Sequence, residues 1–135
     1  MDLEEYKRFR NAHVGFARDV GIVITHLTEG LCEGEIRLEA RHLNPLGKVH
    51  GGAIFTLMDT VAGVAGATYG YYITTSGGNV DYLRPAGGAV LRARATAVKA
   101  GKALMVFDVE ALDEEDVLVA KGSFTLFRFQ KKIEI

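Results

Sequence analysis

The chain has 135 residues, 48% of them hydrophobic, and a formal net charge of −1. That is enough for one domain with a real core, and residues 1–135 are expected to form a single unit. Near-neutral, scattered charge gives no electrostatic footprint for nucleic acid, and the single cysteine, Cys32, excludes an internal disulfide and a cysteine-rich metal site.

The N-terminus, MDLEEYKRFR, is charged and lacks the apolar core of a signal peptide. The longest apolar run lies within residues 53–67 and is interrupted by Thr56, Asp59 and Thr60. It is shorter than the roughly 20 apolar residues that a bilayer span needs. The expectation is a cytoplasmic protein with neither membrane nor nucleic acid as partner.

Residues 2–18 read as one helix, with Asp2 as N-cap and Tyr6, Phe9, His13 and Phe16 at helical spacing. From Gly21 the pattern turns to strands. GIVITHL and LCEGEIRLEA are separated by Thr28-Glu29-Gly30, a hairpin turn. A polar loop from Asn44 to Gly52 leads into a helix over 51–67. Beyond it the period is two. TTSGGNVDYL ends at Pro85, and Gly87-Gly88 makes a turn. In VLRARATAV, Leu91, Ala93, Ala95 and Ala97 share one face. After a turn at Ala100-Gly101-Lys102, ALMVFDVEAL sets Met105, Phe107, Val109 and Ala111 on one face. An acidic loop, Asp113 to Asp116, precedes VLVAKGSFTLFRF. Runs of strands around one main helix predict an α+β fold with a mostly antiparallel sheet.

The helix over 51–67 is apolar on nearly every side, which predicts burial all round. Gly63 and Gly66 each weaken it by roughly 1 kcal/mol relative to alanine. The expectation is that another backbone packs close at those two positions, as in a sheet curled around the helix. One acid, Asp59, sits in its middle. A buried carboxylate is costly unless hydrogen-bonded or paired, so Asp59 is either a satisfied structural acid or a general base or nucleophile in a dry cleft. Gly51-Gly52 at the helix start is either a tight turn or a pair of unshielded amides at the positive end of the helix dipole. Such amides can stabilise an oxyanion, each donor being worth about 10²–10³ in rate.

Gly51 and Asp59 are eight residues apart, or about 12 Å along a helix at 1.5 Å per residue. One carbonyl cannot readily meet both. If both serve one site, they come from two copies of the chain, which implies a homodimer with two equivalent shared sites.

Other motifs fail on spacing. Gly47-Lys48 is no phosphate-binding loop, because His42 stands where its leading glycine belongs and Val49 follows the lysine. Ser76 lacks the leading glycine of a nucleophile elbow. His13, His26, His42 and His50 show no metal-ligand spacing.

The string LNPLGKVHGGAIFTLMDTVAG resembles the signature of the PaaI-like branch of hot-dog-fold acyl-CoA thioesterases. VDYLRPA, AGKALMVFDVEAL and VLVAKGSFTLF resemble that family's later segments, so the likeness covers nearly the whole chain. The resemblance implies an antiparallel sheet wrapped around the central helix, and dimers that commonly pair into homotetramers. It also implies hydrolysis of an acyl- or aryl-CoA thioester without metal or redox cofactor. By the same resemblance the Gly51 amide polarises the thioester carbonyl, with Gly52 beside it. Asp59 of the partner subunit activates water or attacks directly. Asn44 helps bind the carbonyl or position the reacting groups, and His50 shapes the loop near the thioester. A hydroxyl on the following strand assists the water, and Thr75 and Ser76 both fall near that place. Arg84 is the first candidate for the CoA phosphates, with Arg92, Arg94, Lys99 and Lys102 behind it. Phe55, Tyr69, Tyr71 and Tyr72 line an acyl pocket or fill the core. The rival readings are a hot-dog hydratase or dehydratase, and a domain that binds acyl-CoA without turnover.

Overall fold

The computed structural model describes residues 1–135. Asp2 caps the first helix, α1 (Leu3–Ala12), by accepting from the Glu5 N–H. The helix expected over 2–18 is in fact two. Gly15 is fully extended, and a short helix, α2 (Phe16–Val20), follows it. Valine and glycine at 14–15 are poor helix formers, and the Arg18 guanidinium donates to the free Ala12 carbonyl at the break. α1 is pinned to the sheet through Asn11. Its side chain donates to Ile24 O at 2.9 Å and accepts from Ile24 N at 2.8 Å, so one side chain takes the place of a neighbouring strand.

The strands are β1 (Ile22–Thr28), β2 (Leu31–Arg37), β3 (Tyr71–Tyr82), β4 (Val90–Ala100), β5 (Leu104–Leu112) and β6 (Leu118–Lys132). They form one six-stranded sheet in the order β1-β2-β4-β5-β6-β3, and every pairing is antiparallel. The β1–β2 hairpin turns at Gly30, whose φ is +76° and where a Cβ would lie 2.5 Å from the Tyr69 hydroxyl. Only glycine serves that corner.

β2 ends at Arg37, earlier than expected. A single 3-10 turn at Ala40–His42 follows, closed by a reciprocal cap between Glu39 and His42. β3 starts three residues before the predicted segment, at Tyr71, and β6 runs on to Lys132. Extended hairpin partners carry each other past the ends of the apolar pattern, because ladder hydrogen bonds do not need apolar side chains.

The central helix, α3 (Gly51–Ala67), lies against the concave face of the sheet. This is the hot-dog arrangement. Ile36, Leu91, Ala95, Met105, Phe107, Val109, Phe124 and Leu126 of the sheet enclose Leu57, Met58, Val61 and Val64 of the helix. Two expectations change here. The helix is not buried all round, since Gly52, Phe55, Thr56, Asp59, Thr60 and Gly63 form a stripe that is half-buried or exposed. Its two glycines also meet side chains and not another backbone. A Cβ on Gly66 would lie 2.5 Å from Leu126 Cδ1, and one on Gly63 would lie 3.4 Å from Ile73 Cδ1. The glycine that brings helix and sheet together belongs to the sheet, where a Cβ on Gly34 would meet Val61 at 2.9 Å. No helix is long and apolar enough to cross a membrane.

Candidate active site

The helix start is held by a network of local hydrogen bonds. Asn44 builds the loop before it: its side-chain oxygen accepts from Leu46 N at 2.9 Å and Lys48 N at 3.1 Å. This is an Asx-type turn, so the acceptor end of Asn44 is committed to the backbone. Val49 N donates to Ala86 O and His50 N to His42 O, both within 2.9 Å, which fastens the loop on two sides. His42 is buried. Its Nδ1 accepts from Glu39 N at 3.0 Å, so its Nε2 carries the proton given to Val20 O at 2.6 Å. The sequence marked His42 only as a residue without metal spacing, whereas the fold uses it as a peg between α2 and the loop.

His50 is the N-cap of α3, and its Nδ1 accepts from Gly52 N at 2.8 Å. The first-turn amides are therefore not equivalent. Gly52 N is taken by His50, while Ala53 N and Ile54 N donate to His50 O. Gly51 N has no partner within the chain, and it stands at the positive end of a 17-residue helix. The Tyr82 hydroxyl donates to Gly51 O at 3.0 Å and packs its ring on the same glycine. Tyr82 went unassigned from sequence, because no local pattern places a residue of β3 against the helix start.

Gly51, Asn44, Lys48, Tyr82 and Arg84 line one cleft of about 320 Å³. Arg84 donates to the Leu118 carbonyl there. Lys48 is a second cation in this cleft, unmarked in the sequence because Gly47-Lys48 lacks phosphate-loop spacing. The lower-ranked candidates are spoken for in part: Arg92 pairs with Asp116, and Arg94 with Glu33 at 3.6 Å. His50 and Gly52 face a separate cleft of about 400 Å³ with Arg41 and Thr56, so His50 and Gly51 do not share one cavity.

Asp59 sits two turns along α3 on the half-exposed stripe. It accepts from the Thr75 hydroxyl at 2.6 Å, and its Oδ2 has no partner in the chain. A β-bulge between Thr75 and Gly77 separates the two hydroxyl candidates. Thr75 turns in to the carboxylate, whereas Ser76 donates to the Thr125 carbonyl at 3.2 Å. Within one copy the residues thus fall into two groups, Gly51 with Asn44 and Arg84, and Asp59 with Thr75. Of the aromatic candidates, Phe55 packs edge-on against Phe124 at 5.3 Å and Tyr71 lies under the Arg128 guanidinium.

A family model described as Thioesterase superfamily matches residues 46–120, more than half of the chain. The chain is 31% identical over 121 residues to the acyl-coenzyme A thioesterase PaaI of Escherichia coli, covering 85% of this chain and 86% of that protein. The solved structure of the E. coli PaaI protein from the phenylacetic acid degradation operon superposes with a TM-score of 0.85 at 29% identity, covering 96% and 98% of the two chains. A Streptococcus mutans protein solved bound to acetyl CoA superposes with a TM-score of 0.78 at 26% identity, covering 83% of this chain and 91% of that one.

Proposed function

The chain belongs to the thioesterase superfamily, and from that premise we propose that it hydrolyses acyl-CoA thioesters to the free acid and CoA. The observation that carries this reading is the pair of unsatisfied groups on α3. The Gly51 amide is the one first-turn donor left free at the helix start, and the Asp59 carboxylate, oriented by Thr75, keeps one oxygen free on an accessible face. An electrophilic donor and a base are the two groups that acyl transfer to water requires.

In this mechanism the thioester oxygen accepts from Gly51 N as it becomes an oxyanion. Asp59 removes a proton from water as the oxygen of that water bonds to the acyl carbon, or attacks that carbon itself, in which case water hydrolyses the mixed anhydride left after thiolate departure, releasing the free acid and restoring the carboxylate. Collapse of the intermediate breaks the C–S bond, and the thiolate leaves and takes up a proton. Thr75 holds Asp59 in place. Asn44 keeps its side-chain amide for the substrate, and His50 fixes the turn that leaves Gly51 N free. Arg84 and Lys48 at the cleft mouth meet the CoA phosphates. The chemistry needs no cofactor. A single buried free cysteine and a CoA substrate fit a reducing cytoplasm.

Gly51 and Asp59 are too far apart in one copy to touch one carbonyl, so the working unit is a homodimer with shared sites. Support comes from β3, a twelve-residue edge strand without proline whose outer edge is unpaired. Such an edge is a template for another strand. β3 borders the half-exposed stripe of α3 through Thr75 and Asp59, so two-fold pairing along it brings two stripes together. Pairing of two dimers gives the tetramer.

The test is thiol release from a panel of acyl- and aryl-CoA esters. Release from at least one ester supports the reading. Tight CoA-ester binding with no release from any of them contradicts it.

A further inference from the structure

A cavity of about 310 Å³ lies between α1, the C-terminal half of α3 and the start of β3. Its position relative to the acid follows from the register. Asp59 and Gly63 are one helical turn apart on the same face of α3, about 6 Å along the axis. Thr75 and Ile73 are neighbours on one face of β3, about 6.6 Å apart. Thr75 bonds Asp59, and Ile73 Cδ1 stands 3.4 Å from a Cβ on Gly63. The two contacts are consecutive rungs between helix and strand. The cavity, lined by Gly63 and Ile73, opens one rung beyond the carboxylate.

Its walls are largely apolar and aromatic, with Tyr6 and Phe9 stacked at 6.2 Å and Tyr72 and Ile73 contributed by β3. At about 30 Å³ per water-sized atom, it holds an acyl group of about ten non-hydrogen atoms. Beside the two tyrosines, Arg10, His13 and Glu134 also line it. Arg10 is half-buried and in ion-pair contact with no carboxylate of the chain. Burial raises the Cys32 thiol, and the nearby Arg10 charge acts against it. Glu134 is exposed on the C-terminal tail, where water screens it. The Asn11 side chain, bonded twice to Ile24, holds the α1 wall in place. A guanidinium that always carries its charge, set in a largely apolar wall with no carboxylate at ion-pair distance, is matched by a planar carboxylate that it can hold with two hydrogen bonds.

We propose that this cavity is the acyl pocket and that Arg10 fits it to acyl groups ending in a carboxylate, the CoA monothioesters of dicarboxylic acids of about six to seven carbons. The proposal rests on the thioesterase reading above. The apolar walls hold the methylene chain, Arg10 takes the far carboxylate, and the scissile carbonyl is left beside Asp59.

The experiment compares adipyl-CoA with hexanoyl-CoA, equal in carbon count and different at the far end, by thiol release. The wild-type kcat/KM ratio is expected to favour adipyl-CoA by about ten- to 100-fold, the worth of a charge-assisted hydrogen-bonded pair. In Arg10→Leu the ratio falls to about one, and in Arg10→Lys it lies between. Gly63→Leu, which builds into the mouth, lowers kcat/KM for both esters relative to acetyl-CoA. A wild-type ratio at or below one, with thiol release intact, overturns the proposal while leaving the thioesterase reading standing. No release from any ester removes both. A ratio that Arg10→Leu leaves unchanged overturns the role of Arg10.

Discussion

In the proposed mechanism the chemistry turns on Asp59 and Thr75, whose contact is a single hydrogen bond of 2.6 Å. Asp59→Asn keeps the size and the acceptor for Thr75 but removes the base. Turnover is expected to fall by about 100-fold or more, with an unchanged thermal melting profile. Thr75→Val leaves the carboxylate without its orienting donor and should cost about tenfold in kcat; Ser76→Ala should cost far less. An acid in the middle of the apolar run made Asp59 legible in the sequence. The choice between Thr75 and Ser76 was not, because a one-residue bulge decides which hydroxyl turns inward, and a bulge leaves no mark in the alternation pattern. Cys32 offers a separate check. Burial pushes its thiol up to about 12, from an ordinary 9.0. The folded state therefore holds this proton more tightly than the unfolded chain. Below about pH 9 the thiol is neutral in both states and contributes nothing, and above it stability falls as pH rises toward 12. At pH 8 a thiol reagent should leave the native protein unlabelled and label it once unfolded.

At the scale of elements, the two glycines of α3 look alike in sequence and differ in the structure. Gly63 faces ordinary contact distance to Ile73, so Gly63→Ala is expected to stabilise the protein by up to about 1 kcal/mol through helix propensity. A Cβ on Gly66 would lie 2.5 Å from Leu126 Cδ1. Gly66→Ala is expected to destabilise by about 1–2 kcal/mol, because displacing a packed leucine outweighs the propensity gain. Chemical denaturation of the two variants side by side measures both signs. The strands and α3 were legible because their apolar periods are long and clean. The break at Val14-Gly15 was not. Phe16 sits at helical spacing from Tyr6, Phe9 and His13, yet it is 71% exposed here, and one weak glycine does not by itself end a helix. The half-exposed stripe on α3 was also hidden, since a helix apolar all round reads the same whether a sheet or a second copy of the chain covers its last face.

For the whole molecule, the proposed mechanism divides the loop and helix from Asn44 to Ala67 into two half-sites whose separation is set by helix geometry alone. The sequence held that distance in the eight-position spacing from Gly51 to Asp59. It did not hold the edge position of β3, which depends on the full strand order. Under the proposed mechanism those two facts together require a dimer, and light scattering should give at least twice the 14.7 kDa of one chain. In the proposed enzyme each site joins Gly51 of one subunit to Asp59 of the other. Gly51→Pro tests the first half cleanly. Proline is accommodated at the first helical position, where it deletes the N–H without disturbing the helix, and the extended His50 before it is compatible. Alone, Gly51→Pro and Asp59→Asn should each be nearly inactive. Mixed and allowed to exchange subunits, they should recover about a quarter of wild-type activity: half of the dimers are mixed, and each mixed dimer has one intact site. Recovery near that level is the predicted result, and no recovery despite demonstrated subunit exchange would contradict the shared site.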